Sequence, residues 1–148
     1  MAAIGRFQKG DDIFHAKVVD GELFKLNGDV FGSPSFGKRA LPRKGIKTLT
    51  PVAPSKVIAV GLNYADHAAE LSFKAAPKEP LVFVKAANAY TGHNGRSWRP
   101  DNVEYMHYEC ELVAVIGKTA RNVPRADALD FVAGYTLCND YAIRDYLE

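Results

Sequence analysis

Hydrophobic and polar residues alternate through the first third of the chain in the pattern of short β-strands. Residues 13–19 and 22–26 are rich in β-forming side chains, and the Asp20-Gly21 pair between them is typical of a tight turn. A second turn signal, Asn27-Gly28, precedes the short apolar pair at 30–31. The pattern therefore predicts a meander of three strands near the N-terminus.

A loop and a boundary are expected after this meander. Residues 32–45 are rich in Gly, Pro, Ser and Lys, which favours a loop or linker. A short strand is predicted at 46–49, just before two prolines. The chain is thus expected to divide into a small N-terminal β subdomain with its linker, residues 1–50, and a second part, residues 51–148.

The second part has continuous apolar runs that predict further strands, the first of which is expected to be buried. Such runs occur at 56–60, 81–85, 108–116 and 131–139. The segments between them predict a short helix over 63–71, a long polar loop over 86–107 and a helical turn over 126–130. Together these elements predict an α+β fold that is rich in β-strands.

Composition and charge exclude several classes of protein. Of the 148 residues, 47% are hydrophobic and 24% charged, the balance of a soluble globular domain. The 19 basic residues are scattered among 17 acidic ones, so nucleic acid is not an expected partner. No apolar run approaches the ~18 residues of a membrane span, and we expect a cytoplasmic protein. In that compartment Cys110 and Cys138 are expected to be free, buried thiols.

Two glutamates within one apolar run are the first candidate for chemistry. Side chains alternate along a strand, so Glu109 and Glu111 should share a face, with Cys110 directed to the core. A cation would relieve the repulsion between the two carboxylates, although a solvent-exposed edge strand would also tolerate them. Asp140 is a third carboxylate at the end of the next strand, and three oxygen donors suit Mg²⁺ or Mn²⁺. Zinc would prefer His or Cys; His107 lies nearby but is equally compatible with a loop.

His67 and Glu70 form a second candidate pair. At positions i and i+3 of a helix they would share a face. A carboxylate beside an imidazole raises its basicity and fixes its tautomer, which suits a general base. The same spacing is also common in surface pairs without a role in catalysis.

Four motifs follow one another along the second part of the chain. They are 60–67 (VGLNYADH), 83–85 (FVK), 108–112 (YECEL) and 134–140 (GYTLCND), followed by Arg144-Asp145. In this order they resemble the motifs of the fumarylacetoacetate hydrolase family, over about residues 55–148. The stretches 106–109 (MHYE) and 139–148 (NDYAIRDYLE) are most similar to one branch, the isomerase/decarboxylases of 4-hydroxyphenylacetate (homoprotocatechuate) degradation. The first fifty residues match more loosely.

The resemblance implies a fold and an activity. The fold would be a mixed β-roll preceded by the small N-terminal β subdomain, usually in a homodimer. The activity would be metal-dependent decarboxylation or isomerisation of a 2-oxo or 2-hydroxy-enoate dicarboxylate or tricarboxylate, through a metal-stabilised enolate. The branch acts on 5-oxopent-3-ene-1,2,5-tricarboxylate and 2-hydroxyhepta-2,4-diene-1,7-dioate. Two alternatives stay open: an acylpyruvate-type or fumarylacetoacetate-type C–C hydrolase, and an inactive truncated paralogue.

The resemblance also assigns roles to residues. It implies a divalent ion, Mg²⁺ or Mn²⁺, and a small 2-oxo acid as substrate. Relatives continue well past residue 148, so the chain is expected to be a truncated N-terminal portion of the family fold. The implied residues are Glu109, Glu111 and Asp140 for the metal, His67, Glu70 and Lys85 for catalysis, and Arg144 and Thr91 for substrate binding.

Overall fold

A computed structural model describes residues 3–64, 66 and 78–146. Within these residues the chain forms eleven short strands and two 3-10 helices, over Arg125–Phe131 and Arg144–Tyr146. No helix in this part of the chain is long and apolar enough to cross a membrane. The strands are β1 Ala3–Lys9, β2 Asp12–Val19, β3 Glu22–Asn27, β4 Ser35–Leu41, β5 Lys47–Thr48, β6 Val57–Gly61, β7 Leu81–Lys85, β8 Met106–His107, β9 Cys110–Ile116, β10 Val132–Asn139 and β11 Ala142–Ile143.

The N-terminal strands form one antiparallel sheet in the order β4-β3-β2-β1-β5. Phe7 of β1 lies opposite Phe14 of β2, and their ring centroids are 6.0 Å apart. These rings are buried together with Ala16 and Leu23, which have no exposed surface. Alternation along β2 and β3 directs these apolar residues to one face, so this sheet has a hydrophobic core of its own.

Three predictions for this region are wrong. The pair at 30–31 lies in a turn and not in a strand, because the Asp29 side chain accepts a hydrogen bond from the Phe31 amide at 3.1 Å. Residues 35–41 form β4 where a loop was expected. Pairing with β3 supplies the backbone hydrogen bonds of this strand, and its polar composition alone does not predict that pairing. The three-stranded meander is a five-stranded sheet, because β1 pairs with β2 along its whole length and β5 pairs with β1.

The second part of the chain consists of two-stranded antiparallel sheets. β6 pairs with β7, β9 with β10, and β8 with β11. The expected strands at β6, β7, β9 and β10 are confirmed, as is the helical turn before β10. The expected burial of β6 is wrong, because Ile58 and Val60 are 56% and 41% exposed. The helix predicted over 63–71 lies mostly outside the described residues. Val103 is the one fully buried hydrophobic residue in the described part of this region. The β-rich architecture is confirmed, whereas the core of the molecule lies mainly in the N-terminal sheet.

Both cysteines are exposed, so the prediction of buried thiols is wrong. Cys110 lies on the same face of β9 as Leu112, by alternation, and this face is open to solvent. Cys138 lies opposite Glu111 on the neighbouring strand. The expected compartment and the strand alternation predicted burial, but the two cysteines lie on opposite faces of the hairpin and the described elements leave both exposed.

Candidate functional site

The candidate site begins where β7 and β10 end. Lys85 is the last residue of β7, and Asp140 directly follows β10. The Lys85 ammonium donates a hydrogen bond to the Asp140 carboxylate, with 2.6 Å between Nζ and Oδ1. The two side chains are 26% and 18% exposed, so this ion pair is shielded on most sides from water. It joins two sheets across 55 residues of sequence.

Backbone hydrogen bonds fix Glu109 beside this ion pair. The Asp140 amide donates to the Glu109 carbonyl oxygen at 2.7 Å. The Glu109 amide in turn donates to the Asn139 side-chain oxygen at 3.1 Å. Glu109 therefore precedes β9 instead of lying within it, and its backbone is locked next to Asp140.

Glu111 lies on the half-buried side of the β9–β10 hairpin. It is the second residue of β9 and pairs with Cys138 of β10. Asp140 follows Cys138 by two residues, so the alternation of β10 places it on the same side as Glu111. Two of the three carboxylates expected to bind metal thus belong to one side of the hairpin, and the backbone of the third lies at its end.

The charge around Cys138 agrees with this placement. The residue as a whole is exposed, but its surroundings shield the thiol enough that partial burial raises its pKa. The carboxylates of Asp140 and Glu111 raise the pKa of this thiol further, while the Lys85 ammonium lowers it. Cys138 is therefore a neutral thiol at pH 7, which disfavours a role as nucleophile.

The predicted metal ligands are neighbours along the backbone but not a formed coordination group. In the part of the chain described, no three His, Cys, Asp or Glu side chains are grouped so that they could hold a metal ion. The donor set nevertheless fits a hard divalent cation, because it is made of carboxylates only. The shielded ion pair of Asp140 shows that a positive charge is accommodated here. The ligand assignment stays a prediction.

Arg144 belongs to a separate polar cleft of about 600 Å³. The Asp145 carboxylate accepts hydrogen bonds from the amides of Glu104 at 2.6 Å and Tyr105 at 3.0 Å. The Arg144 amide donates to the Tyr105 carbonyl at 3.0 Å, and β8 pairs with β11, which directly precedes Arg144. The end of the long polar loop is thereby fastened to the start of the last 3-10 helix. The cleft is lined by Asn102, Glu104, Tyr105, His107, Arg144 and Asp145.

The structure does not place the other predicted residues in one site. Thr91 is exposed and directly precedes a turn in which the Gly95 amide donates to the Gly92 carbonyl at 2.9 Å. It lines neither the cleft of Arg144 nor a smaller apolar depression of about 340 Å³ beside Cys110. His67 and Glu70 lie outside the described residues, so their role stays a prediction.

Two fastening residues were missed by reasoning from the sequence. Asn139 holds the Glu109 backbone, and Asp145 holds two amides of the loop. Asn139 directly precedes Asp140, and Asp145 directly follows Arg144, within motifs that resemble the family. This position in the motifs was the only sign in the sequence that they have a role. Their partners are 30 or more residues away in sequence, so no local pattern indicates what they bind.

Comparison with known proteins supplies the family. The chain is 67% identical over 106 residues to the homoprotocatechuate catabolism bifunctional isomerase/decarboxylase of Escherichia coli. The aligned stretch covers 72% of this chain and 24% of that protein. It superposes on the 5-carboxymethyl-2-hydroxymuconate delta-isomerase of Mycobacterium smegmatis with a TM-score of 0.82 and 36% identity, over 98% of this chain and 56% of that one. The 2-hydroxyhepta-2,4-diene-1,7-dioate isomerase of Mycobacterium marinum matches with a TM-score of 0.82 and 30% identity, over the same shares.

The chain spans about half the length of these solved relatives and about a quarter of the Escherichia coli protein. Its strand-rich architecture is the one that these solved structures share. The family model for the C-terminal domain of fumarylacetoacetate hydrolase matches residues 56–148, which include the Lys85–Asp140 pair and the Arg144 cleft. The chain therefore belongs to the fumarylacetoacetate hydrolase family.

Proposed function

We propose that this protein takes part in aromatic catabolism by decarboxylating or isomerising a 2-oxo or 2-hydroxy-enoate dicarboxylate or tricarboxylate, with a divalent metal ion. The observation that carries this proposal is the 67% identity to a bifunctional isomerase/decarboxylase over 106 residues. Two solved relatives named as isomerases of such acids support it.

The shielded ion pair supplies the electrostatics that the reaction needs. In a decarboxylation, the bond from carbon to the departing carboxylate breaks, CO₂ leaves, and the electron pair moves into the 2-oxo group as an enolate. Lys85 would stabilise this developing negative charge; its ammonium, held at 2.6 Å from Asp140 and only 26% exposed, supports this role. A bound Mg²⁺ or Mn²⁺, held by Glu109, Glu111 and Asp140, would supply further Lewis-acid stabilisation.

Proton transfer completes both reactions. After CO₂ leaves, the enolate carbon takes up a proton; in the isomerisation of a 2-hydroxy-2,4-dienoate, the 2-hydroxyl oxygen loses its proton, the double bonds shift to form the 2-oxo group, and a carbon of the former diene takes up a proton. His67 is the proposed acid and base for this step, oriented by Glu70. Lys85 would keep the enolate oxygen in place while the proton moves.

The cleft of Arg144 suits the second carboxylate of such substrates. In the described residues the Arg144 guanidinium has no ion-pair partner, whereas Asp145 is held by two backbone amides. A guanidinium binds a carboxylate through two parallel hydrogen bonds, which gives orientation as well as affinity. Thr91 would contact the substrate only if the polar loop that carries Thr91 folds over the bound substrate.

The test is an assay of the protein with 5-oxopent-3-ene-1,2,5-tricarboxylate and 2-hydroxyhepta-2,4-diene-1,7-dioate, with and without Mg²⁺. We expect turnover that requires the metal and falls by at least about 10²-fold in Lys85→Met. Lys25→Met is the matched control, since it removes an exposed ion pair to Asp12 and should retain activity. Cleavage of an acylpyruvate instead would favour the hydrolase alternative, and a folded, metal-binding but inert protein the inactive paralogue.

We further propose that the protein is a cytoplasmic homodimer that binds neither nucleic acid nor membranes. The formal net charge of +2, without a basic cluster, supports the absence of a nucleic-acid partner. Light scattering coupled to gel filtration measures the oligomeric state directly. A monomeric mass at micromolar concentration would contradict the dimer.

A further inference from the structure

The long polar loop between β7 and β8 touches the N-terminal sheet at Gly92. A Cβ atom at this position would lie 2.9 Å from the Cα and carbonyl carbon of Leu49, closer than Cβ atoms in proteins essentially ever approach, and 3.0 Å from the Thr48 carbonyl oxygen. These contacts are with backbone atoms, so no flexible side chain could move aside. Glycine is therefore the residue that allows the loop to come this near the sheet.

The backbone beneath Gly92 is held by the N-terminal sheet. Thr48 belongs to β5 and pairs with Phe7 of β1. The Leu49 amide donates a hydrogen bond to the Arg6 carbonyl at 2.9 Å. Phe7 in turn is buried in the core of this sheet. The loop thus rests on a backbone that is fixed by hydrogen bonds and by the packing of the core.

The N-terminal sheet is fixed to the second part of the chain at two further places. A Cβ atom on Gly117, directly after β9, would lie 3.1 Å from the Phe31 ring, so this ring packs against the end of the β9–β10 hairpin. The His15 imidazole of β2 donates a hydrogen bond to the Pro51 carbonyl at 3.2 Å. The sheet therefore holds a defined position relative to the hairpin that carries Glu111.

Gly92 belongs to a compact turn. The Gly95 amide donates to the Gly92 carbonyl at 2.9 Å. The Thr91 side chain occupies the space beside the Gly95 α-carbon in which a Cβ atom would stand. Asn94 completes the turn with a φ of 58°, which asparagine adopts more readily than most residues. These contacts make residues 91–95 one unit that is attached to the sheet through Gly92.

A second turn connects this unit to the cleft of Arg144. The Val103 amide donates to the Pro100 carbonyl at 3.3 Å, and the Val103 side chain is only 2% exposed. The residues directly before and after Val103 line the cleft. Since only four residues, 96–99, join the two turns, a displacement of the first turn would be passed on to the lining of the cleft.

We propose that the N-terminal sheet is the platform that positions the polar loop, and that Gly92 is the positioning residue through which it does so. The loop supplies three of the six residues that line the cleft of Arg144, so its position affects how a substrate carboxylate meets the guanidinium. This last step rests on the proposed function, whereas the anchoring of the loop does not. The family model begins at residue 56, so the sheet would act on the site from outside the matched domain.

The first test needs no substrate. Gly92→Ala should push the loop off the sheet, and trypsin should then cleave after Arg96 at least about tenfold faster under native conditions, because cleavage follows the population of opened segments. The bond after Arg99 precedes a proline and resists trypsin, so mass spectrometry assigns the cut to one bond of the loop. Gly37→Ala is the matched control, since a Cβ atom there would meet the Lys25 carbonyl oxygen at an ordinary 3.5 Å.

Trp98 provides a second readout without substrate. It is the single tryptophan of the chain, and it lies in the connection between the two turns. Its time-resolved fluorescence anisotropy should show faster local motion in Gly92→Ala but not in Gly37→Ala. If circular dichroism shows that Gly92→Ala does not fold, Phe31→Ala replaces it. This variant loosens the sheet from the hairpin and should speed cleavage after Arg96 at least about threefold.

The third test uses 2-hydroxyhepta-2,4-diene-1,7-dioate. Gly92→Ala should raise KM at least about fivefold and leave kcat within about twofold, because carboxylate binding changes while the Lys85–Asp140 pair stays in place. A purely structural defect would instead lower kcat through loss of folded enzyme, with KM unchanged.

Each outcome bears on a separate step. Cleavage and anisotropy equal to those of Gly37→Ala, or wild-type cleavage of Phe31→Ala where Gly92→Ala does not fold, would overturn the anchoring. Faster cleavage with an unchanged KM would overturn the link to the cleft. If the unaltered protein turns over no substrate, the link to the cleft fails together with the proposed function, while proteolysis and anisotropy still decide whether the sheet anchors the loop.

Discussion

The ion pair between Lys85 and Asp140 yields the sharpest prediction about this molecule. Replacing Lys85 by Met removes the ammonium but keeps a side chain of similar length, and Asp140→Asn removes the opposite charge. The two single variants and the double variant form a thermodynamic cycle whose coupling term isolates the pair. The expected coupling depends on how far the pair is shielded from water.

The magnitude follows from the geometry. A hydrogen bond to a charged group typically contributes about 1.5–3 kcal/mol to stability. Since the Lys85 and Asp140 side chains remain 26% and 18% exposed, part of their charge stays solvated, and we expect a coupling energy of about 1–2 kcal/mol.

The chain offers an internal control of the same chemistry. Lys25 and Asp12 are joined at 2.8 Å, but these side chains are 44% and 59% exposed. Exposed pairs of this kind contribute about 0.2–1 kcal/mol. The corresponding cycle of Lys25→Met and Asp12→Asn should therefore give a clearly smaller coupling energy.

All variants are unfolded with urea in buffer that contains a metal chelator, and circular dichroism monitors the unfolding. The slope of the free energy of unfolding against urea should stay constant across each cycle, which validates the comparison. If the coupling at Lys85–Asp140 is no larger than that at Lys25–Asp12, shielding does not strengthen this pair. The proposal that Lys85 acts as a pre-organised charge would then lose its physical basis.

Further predictions concern the candidate site and the core. Glu109→Gln should weaken Mg²⁺ binding strongly in calorimetry, and unchanged affinity would show that the ligand assignment is wrong. His67→Ala should keep metal binding but lower turnover by about 10²–10⁴-fold; near wild-type decarboxylation would move the proton relay elsewhere. The rate at which iodoacetamide alkylates Cys138 in metal-free buffer should rise with pH around a midpoint above 9.0, the ordinary pKa of a cysteine thiol, because the pKa of Cys138 is raised. Asp140→Asn should lower that midpoint, since it removes one of the carboxylates that raise the pKa. Peptide mass spectrometry locates the label, and a midpoint indifferent to Asp140→Asn would contradict the acidic surroundings. Leu23→Ala should destabilise the N-terminal sheet by about 2–5 kcal/mol in urea unfolding, since Leu23 is fully buried; a loss below 1 kcal/mol would argue against that core.

Several features of this protein follow from its sequence alone. Alternating residues with a turn signal between them define β2 and β3, and short apolar runs define β6, β7, β9 and β10. These signals are local, because the side-chain period of a strand and the conformational preferences of Gly, Asn and Asp act over a few residues. The order of motifs over residues 56–148 likewise indicated the family that the comparisons confirm.

Tertiary structure decided what depends on partners distant in sequence. The polar segment at 35–41 becomes strand β4 only because β3 supplies its hydrogen bonds. The thiols of Cys110 and Cys138 lie on opposite faces of the hairpin, and the described elements leave both residues exposed. The contact between Lys85 and Asp140 spans 55 residues and joins two sheets. The separation of the site into a shielded ion pair and the cleft of Arg144 also depends on strand pairing. A local pattern predicts which side a residue faces along its own strand, but the residue across from it is set by the packing of the whole chain.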